Sequence, residues 1–221
     1  MLRWPTGKPT PSCGRIQEKC GWPFKVAQSM AWRLLSAFAI SEENGKRFIR
    51  RLVRTAKSRR MPPVRKPRCR PLCYGKKGEE RGLELYEKKN NIKLAKPRIL
   101  LNPTIPFLMV SPDGVEISNG KIQRVIEIKS PLRGRTEPVN EYRLDKALPG
   151  DFKYEMYKYF QLQMSLAITN TSEAILCFYS EYTDDIKEII VTRDDNYILK
   201  NLQAIEHIYK RHLLPLLRRI L

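Results

Sequence analysis

Between residues 111 and 131 the chain spells out a two-stranded hairpin. Pro112-Asp113-Gly114 is a turn signal, and residues 115–117 and 122–128 read as strands joined across Ser118-Asn119-Gly120. Asn-Gly between apolar strands favours the tight turn whose central residues need positive φ. Side chains at i and i+2 of a strand share a face, so Glu127 and Lys129 point to one side while Ile128 enters the core. The hairpin folds Asp113 back beside that face. Two carboxylates and an ammonium then meet in a small space, a donor set suited to hard Mg²⁺ with waters and substrate phosphate. Taken alone, the three residues also fit an ordinary ion-paired hairpin.

Helical and strand periods alternate around this hairpin. Residues 24–40 carry Val26, Met30, Leu34 and Phe38 at helical spacing, and Ser41 with Glu42 and Glu43 opens a second, basic helix to about Thr55. Residues 58–71, dominated by Pro and Arg, read as a linker. A helix over residues 78–89 turns Leu83 and Tyr86 inward, and short strands follow at 96–101 and 107–110. Residues 132–150 hold no clear period and read as a long polar loop. A helix over 154–169 places Tyr157, Phe160 or Gln161, Met164 and Ile168 on one side. Strands at 173–180 and 186–192 precede a long last helix from 195 to 221. The pattern predicts an α/β fold, and a chain of 221 residues is long enough for one core without disulfide staples. No run of about 18 apolar residues occurs, which excludes a membrane-spanning helix.

The net charge of +19 lies wholly in the first half. Residues 1–100 hold 26 Lys and Arg against 7 Asp and Glu, while residues 101–221 hold 16 of each. From Lys46 to Lys77 there are 14 basic residues and no acidic one. Such a block repels itself and favours a polyanion; nucleic acid fits, because phosphate contacts release condensed counterions. Arg50, Arg51, Arg54, Arg59 and Arg60 are its candidate phosphate contacts, with a solvated tail or nuclear-import patch as the plainer alternative. Five Cys, an odd number, suit a reducing intracellular compartment, nuclear or cytoplasmic. Cys13-x6-Cys20 and Cys69-x3-Cys73 lack a nearby His and suit free thiols better than zinc. The N-terminus is no secretory signal, but its basic, acid-poor character leaves a mitochondrial presequence open. His207 and His212, the only His, fall in the last predicted helix and argue against His-based catalysis.

Asp113, Glu127 and Lys129 together resemble the PD-(D/E)xK nuclease motif. From about residue 74 to 217 the chain resembles the lambda-exonuclease or YqaJ family of viral recombination nucleases. The residues that carry this are Gly75-Lys-Lys-Gly-Glu79, Ser111-Pro-Asp-Gly114, Glu127-Ile-Lys-Ser-Pro131, Gln161-Leu-Gln163 and Arg193-Asp194. The resemblance implies a restriction-endonuclease-like mixed central sheet flanked by helices. Residues 74–221 would form the nuclease core, and residues 1–73 a basic helical and proline-rich extension. It implies Glu79, Asp113, Glu127 and the Ile128 carbonyl as ligands of Mg²⁺, with Mn²⁺ as a substitute. Lys129 would position the water, and Gln161 or Gln163 would support it or the scissile phosphate. The implied activity is a 5′-to-3′ exonuclease on duplex DNA ends in viral-type recombination. DNA, further copies of the chain in a homo-oligomer and a single-strand annealing protein are the implied partners. Residues 8–16 would be a degraded copy of the family's Arg-x-Thr-Ala-Ser segment, with Lys8 in place of an Arg that meets a terminal phosphate. Lys lacks the bidentate fork of Arg. Two other readings fit the same residues: an inactive nucleic-acid-binding protein on a nuclease-like fold, and an RNA-cleaving nuclease. The intact Asp113–Glu127–Lys129 set favours an enzyme.

Overall fold

The computed structural model describes residues 41–57, 70–102, 104–105, 107–142 and 153–217. The helix expected over 24–40, the Lys8 segment and nearly all of the 58–71 linker lie outside the described residues. Helix α1 (Glu42–Lys57) starts where Ser41 predicts, with the Asn44 N–H donating to Ser41 Oγ at 3.1 Å. It buries Ile49 and packs against the end of the last helix.

Helix α2 spans Arg70–Asn90, beginning well before the expected Gly78. Pro71 reads as linker and Gly78 as helix start in sequence, yet the helix runs through both, and at Gly78 it packs tightly on the sheet side. A Cβ on Gly78 would stand 2.1 Å from Ser130 Oγ, and one on Gly82 would stand 2.7 Å from Ile128 Cγ2. Gly78 and Gly82 let α2 lie close against the side chains of Ser130, Ile128 and Tyr179, and that burial offsets their helix cost of about 1 kcal/mol each. Leu83 and Tyr86 are buried as expected.

The two short strands after α2 shrink to β1 (Leu100–Leu101) and β2 (Met109–Val110), an antiparallel pair. The hairpin forms β3 (Gly114–Ser118) and β4 (Lys121–Lys129), closed by Asn119 at φ 52° and Gly120 at φ 70°. Helix α3 (Lys153–Thr169) carries the chain to β5 (Glu173–Ser180), which pairs parallel with β4. Strand β6 (Asp185–Thr192) then adds antiparallel to β5, giving a mixed sheet in the order β3-β4-β5-β6. The polar loop after β4 contains two 3₁₀ turns, Leu132–Arg135 and Val139–Glu141.

Alternation divides the sheet into two faces. Ile126, Ile128, Ile175, Cys177 and Tyr179 pack with Leu83 and Tyr86 of α2. Val125, Ala174, Leu176 and Phe178 pack with Phe160, Leu162, Met164 and Leu166 of α3. Helix α4 (Asp195–Ile208) covers the same side through Ile198, Leu202 and Ile205. Asp194 caps it, accepting from the Tyr197 N–H at 2.9 Å. The predicted last helix is not uniform: it widens into a π-turn at Tyr209–Leu213 before a final turn, Leu214–Leu217. Pro215 has no N–H for the carbonyl of Arg211, and the Leu214 N–H reaches back to the carbonyl of Tyr209. Among the described residues no helix is long and apolar enough to cross a membrane.

Candidate active site

The hairpin delivers Asp113, Glu127 and Lys129 to one place. Gly114 pairs with Ile126, so Asp113, one residue before β3, lies beside the C-terminal half of β4. Its Oδ2 accepts the Ile128 N–H at 2.8 Å. The N–H and C=O of a strand residue point to the same edge, so the Ile128 carbonyl also faces Asp113. Glu127, buried on the α3 face of β4, accepts from Lys129 Nζ and, at 2.7 Å, from Gln161 Nε2. The two glutamines of α3, equivalent in sequence, separate here. Gln161 faces Glu127, while Gln163 donates to the Thr192 carbonyl and accepts the Asp194 N–H, tying β6 to the start of α4.

The electrostatics are those of a site that needs a cation. Burial, and then the charge of Glu127, push the Asp113 carboxyl up to about 7, against the pull of Lys129 and the Ile128 N–H; Glu79 adds to the rise. Glu127 Oε2 is buried and accepts no hydrogen bond. An orphaned carboxylate oxygen beside a second carboxyl that burial protonates is what a divalent cation would satisfy. The donors are all oxygen, which suits Mg²⁺ or Mn²⁺. Glu79, half-buried on α2, is near enough for its charge to act on Asp113. Yet among the described residues no three His, Cys, Asp or Glu side chains gather tightly enough to hold a metal. Two side-chain carboxylates are sufficient for Mg²⁺, which keeps several of its waters.

Of the basic candidates, Arg50 and Arg51 alone have side chains among the described residues. Arg50 and Arg51 are exposed on α1, where Arg50 pairs with Glu43. The side chain of Arg54, and all of Lys8, Arg59 and Arg60, lie outside the described residues. Two further cations lie over buried aromatic rings. Arg133 lies 4.4 Å from the centroid of the Tyr142 ring, and Lys158 Nζ 4.7 Å from that of Phe178. Lys158 precedes Gln161 by one helical turn, a spacing that could have singled it out.

The profile of the YqaJ-like viral recombinase domain matches residues 45–172, from within α1 to the end of α3. The fold is similar to the alkaline exonuclease LHK-Exo from Laribacter hongkongensis: 19% identity, 86% of this chain and 88% of that one covered, TM-score 0.60. The same enzyme solved in complex with dAMP aligns at 16% identity and TM-score 0.60, over 89% and 97% of the two chains. A phage-related exonuclease from Haemophilus somnus 129PT aligns at 15% identity and TM-score 0.55, over 80% and 84%. No curated protein matches the sequence.

Proposed function

The chain belongs to the YqaJ-like viral recombinase domain family, and from that premise we propose that it is a Mg²⁺-dependent exodeoxyribonuclease, acting 5′ to 3′ on duplex ends. The observation that carries the reading is the meeting of Asp113, Glu127, Lys129 and Gln161, with Glu127 Oε2 left unsatisfied and Asp113 pushed up to about 7. The structural likeness to an exonuclease solved with dAMP supports a DNA strand as substrate.

Asp113, Glu127 and the Ile128 carbonyl would hold the cation, with Glu79 acting from farther out through water. The cation would supply Lewis-acid stabilisation of the charge that builds on the phosphate. Gln161 keeps Glu127 oriented by donating to Oε1, which leaves the unsatisfied Oε2 as the atom that would bind the cation. Lys129 presents its ammonium to the attacking water or to a phosphate oxygen, where a preorganised donor acts most strongly in a water-poor site. The Ile128 N–H fixes the Asp113 carboxylate. Arg50, Arg51, Arg54, Arg59 and Arg60, with Lys8, would grip the backbone away from the reacting bond.

Digestion of end-labelled duplexes bearing 5′-phosphate or 5′-hydroxyl ends, with Mg²⁺ and with EDTA, tests this. Mononucleotide release from the 5′ end with Mg²⁺ alone is expected. Binding without degradation would favour the inactive nucleic-acid-binding alternative, and preferential loss of a matched RNA would favour the RNA-cleaving one.

A further inference from the structure

Two motifs of the sequence, Gln163 and Arg193-Asp194, take no part in the carboxylate site, and the fold joins them to each other. Arg193 and Asp194 link β6 to α4. The Arg193 N–H donates to the Ser172 carbonyl, just past α3, at 2.9 Å, and its Nη1 donates to the Leu166 carbonyl in the last turn of α3, also at 2.9 Å. The helix dipole favours a cation at that end. Asp194 gives its N–H to Gln163 Oε1 at 2.9 Å, and its carboxylate accepts from Tyr159 OH at 3.3 Å. Gln163 Nε2 donates in turn to the Thr192 carbonyl at 2.7 Å. Tyr159, Gln163 and Leu166 stand at i, i+4 and i+7, one stripe of α3. Three consecutive residues, Thr192, Arg193 and Asp194, thus grip one side of the helix.

Gln161 leaves α3 on another side. At 3.6 residues per turn, positions two apart point about 200° from one another. Gln161 accordingly meets Glu127 at 2.7 Å, while Gln163 meets the link between β6 and α4. Strand β4 is held between β3 and β5, so Glu127 cannot follow the helix if it turns about its axis. The apolar contacts of α3 set that rotation only loosely, because burial is not directional. Gln163 sets it closely: it is wholly buried and bonded at both ends of its amide. Any other orientation leaves buried polar atoms unpaired.

We infer that Gln163 and Arg193 are positioning residues: by gripping the link between β6 and α4, they fix the rotation of α3 at which Gln161 donates to Glu127. The consequence for catalysis rests on the nuclease reading, but the rotation itself is measured without cleavage.

NMR of the metal-free full chain, labelled with ¹⁵N-glutamine, reports the Gln161 side-chain amide directly, its resonance assigned by its loss in Gln161→Leu. In the parent this amide should show a nuclear Overhauser contact to the side-chain methylene of Glu127. Gln163→Met and Arg193→Met should each remove that contact, which a loss of stability alone leaves in place in the folded molecules. Arg193→Lys, which keeps a donor for the Leu166 carbonyl, should retain it. Single-turnover cleavage at saturating Mg²⁺ should fall about tenfold in both Met variants, on the scale of a slightly misplaced reacting group, with duplex Kd unchanged. Folded Met variants that keep the parent's contact between Gln161 and Glu127 would overturn the inference and leave the two residues a part in stability alone. A parent that binds but never cuts overturns the nuclease reading and leaves the amide comparison intact. Should Gln163→Met fail to fold, Arg193→Met and its Lys rescue decide the matter.

Discussion

The two faces of the central sheet are packed for different ends. On the α2 face, β4 presents Ile126 and Ile128, and Gly78 and Gly82 bring the helix almost onto the strands. On the α3 face the same strand presents Val125, Glu127 and Lys129, so an apolar row turns polar toward its end. The first face is dry and close-packed around Ile126 and Ile128, with Glu116 and Glu188 toward its edges. The second holds charges that are costly to bury without a cation. One strand serves both because its side chains alternate, so a one-residue slip in register would exchange core and chemistry.

Removing either carboxylate breaks the polar face without touching the dry one. Asp113→Ala and Glu127→Ala should each lower cleavage by about a thousandfold or more, the scale of losing a central electrostatic group. Duplex binding, measured alongside, should stay near the parent. Cleavage near the parent rate would mean that the site is misplaced.

Lys129→Met sharpens the division within that face, because an ammonium does not ligate a cation. Single-turnover cleavage at saturating Mg²⁺ should fall by about a hundredfold, while Mg²⁺ affinity stays or rises. If Lys129 were only an ion-pair partner, the rate would remain within a few-fold.

The dry face should fail by stability instead. Gly78→Ala gains about 1 kcal/mol in helix propensity but sets a Cβ 2.4 Å from Ser130 Cβ, and such overpacking costs about 1–3 kcal/mol. A net loss in urea unfolding is expected, and a more stable variant would show that the helix can move outward without penalty.

A smaller effect tests the charge on the polar face by pH. Asp113 holds its proton to about 7, above the ordinary carboxyl value of 3.8. The folded chain therefore binds that proton more tightly than the unfolded one, and stability is lost as pH rises from about 4 through 7. The slope is at most about 1.4 kcal/mol per pH unit. In metal-free protein Asp113→Asn should remove this fall, so that its advantage over the parent grows between pH 4 and 7 and then levels off. Identical pH profiles for the two would show that Asp113 ionises freely in the fold.

The least effect is expected at the rim of the dry face. Arg81 of α2 forks onto Asp184 in the β5–β6 turn, with contacts of 2.9 and 2.6 Å, but both residues are exposed. Arg81→Ala should change unfolding by under about 1 kcal/mol and leave cleavage unaltered.

Local signals made much of this legible in advance. Asn119-Gly120 between apolar alternations sufficed for the hairpin, Ser41 for the start of α1, and the i, i+2 rule for the meeting of Glu127 and Lys129. Each depends on neighbours in the chain, where sterics and period act without help from elsewhere. What sequence left open was decided by distant contacts. The sequence starts a helix at Gly78, whereas the fold starts it at Arg70 and sets Gly78 against Ser130 and Gly82 against Ile128. Gln161 and Gln163 are interchangeable until α3 docks at one rotation, sending the first to Glu127 and the second to Thr192 and Asp194. Lys158 and Arg133 were two basic residues among 42, until the fold set them over the rings of Tyr142 and Phe178. Short-range chemistry chose the elements and the reacting residues. Packing chose which like residue faces the reaction, because that depends on helix rotation and strand register, which no local pattern contains.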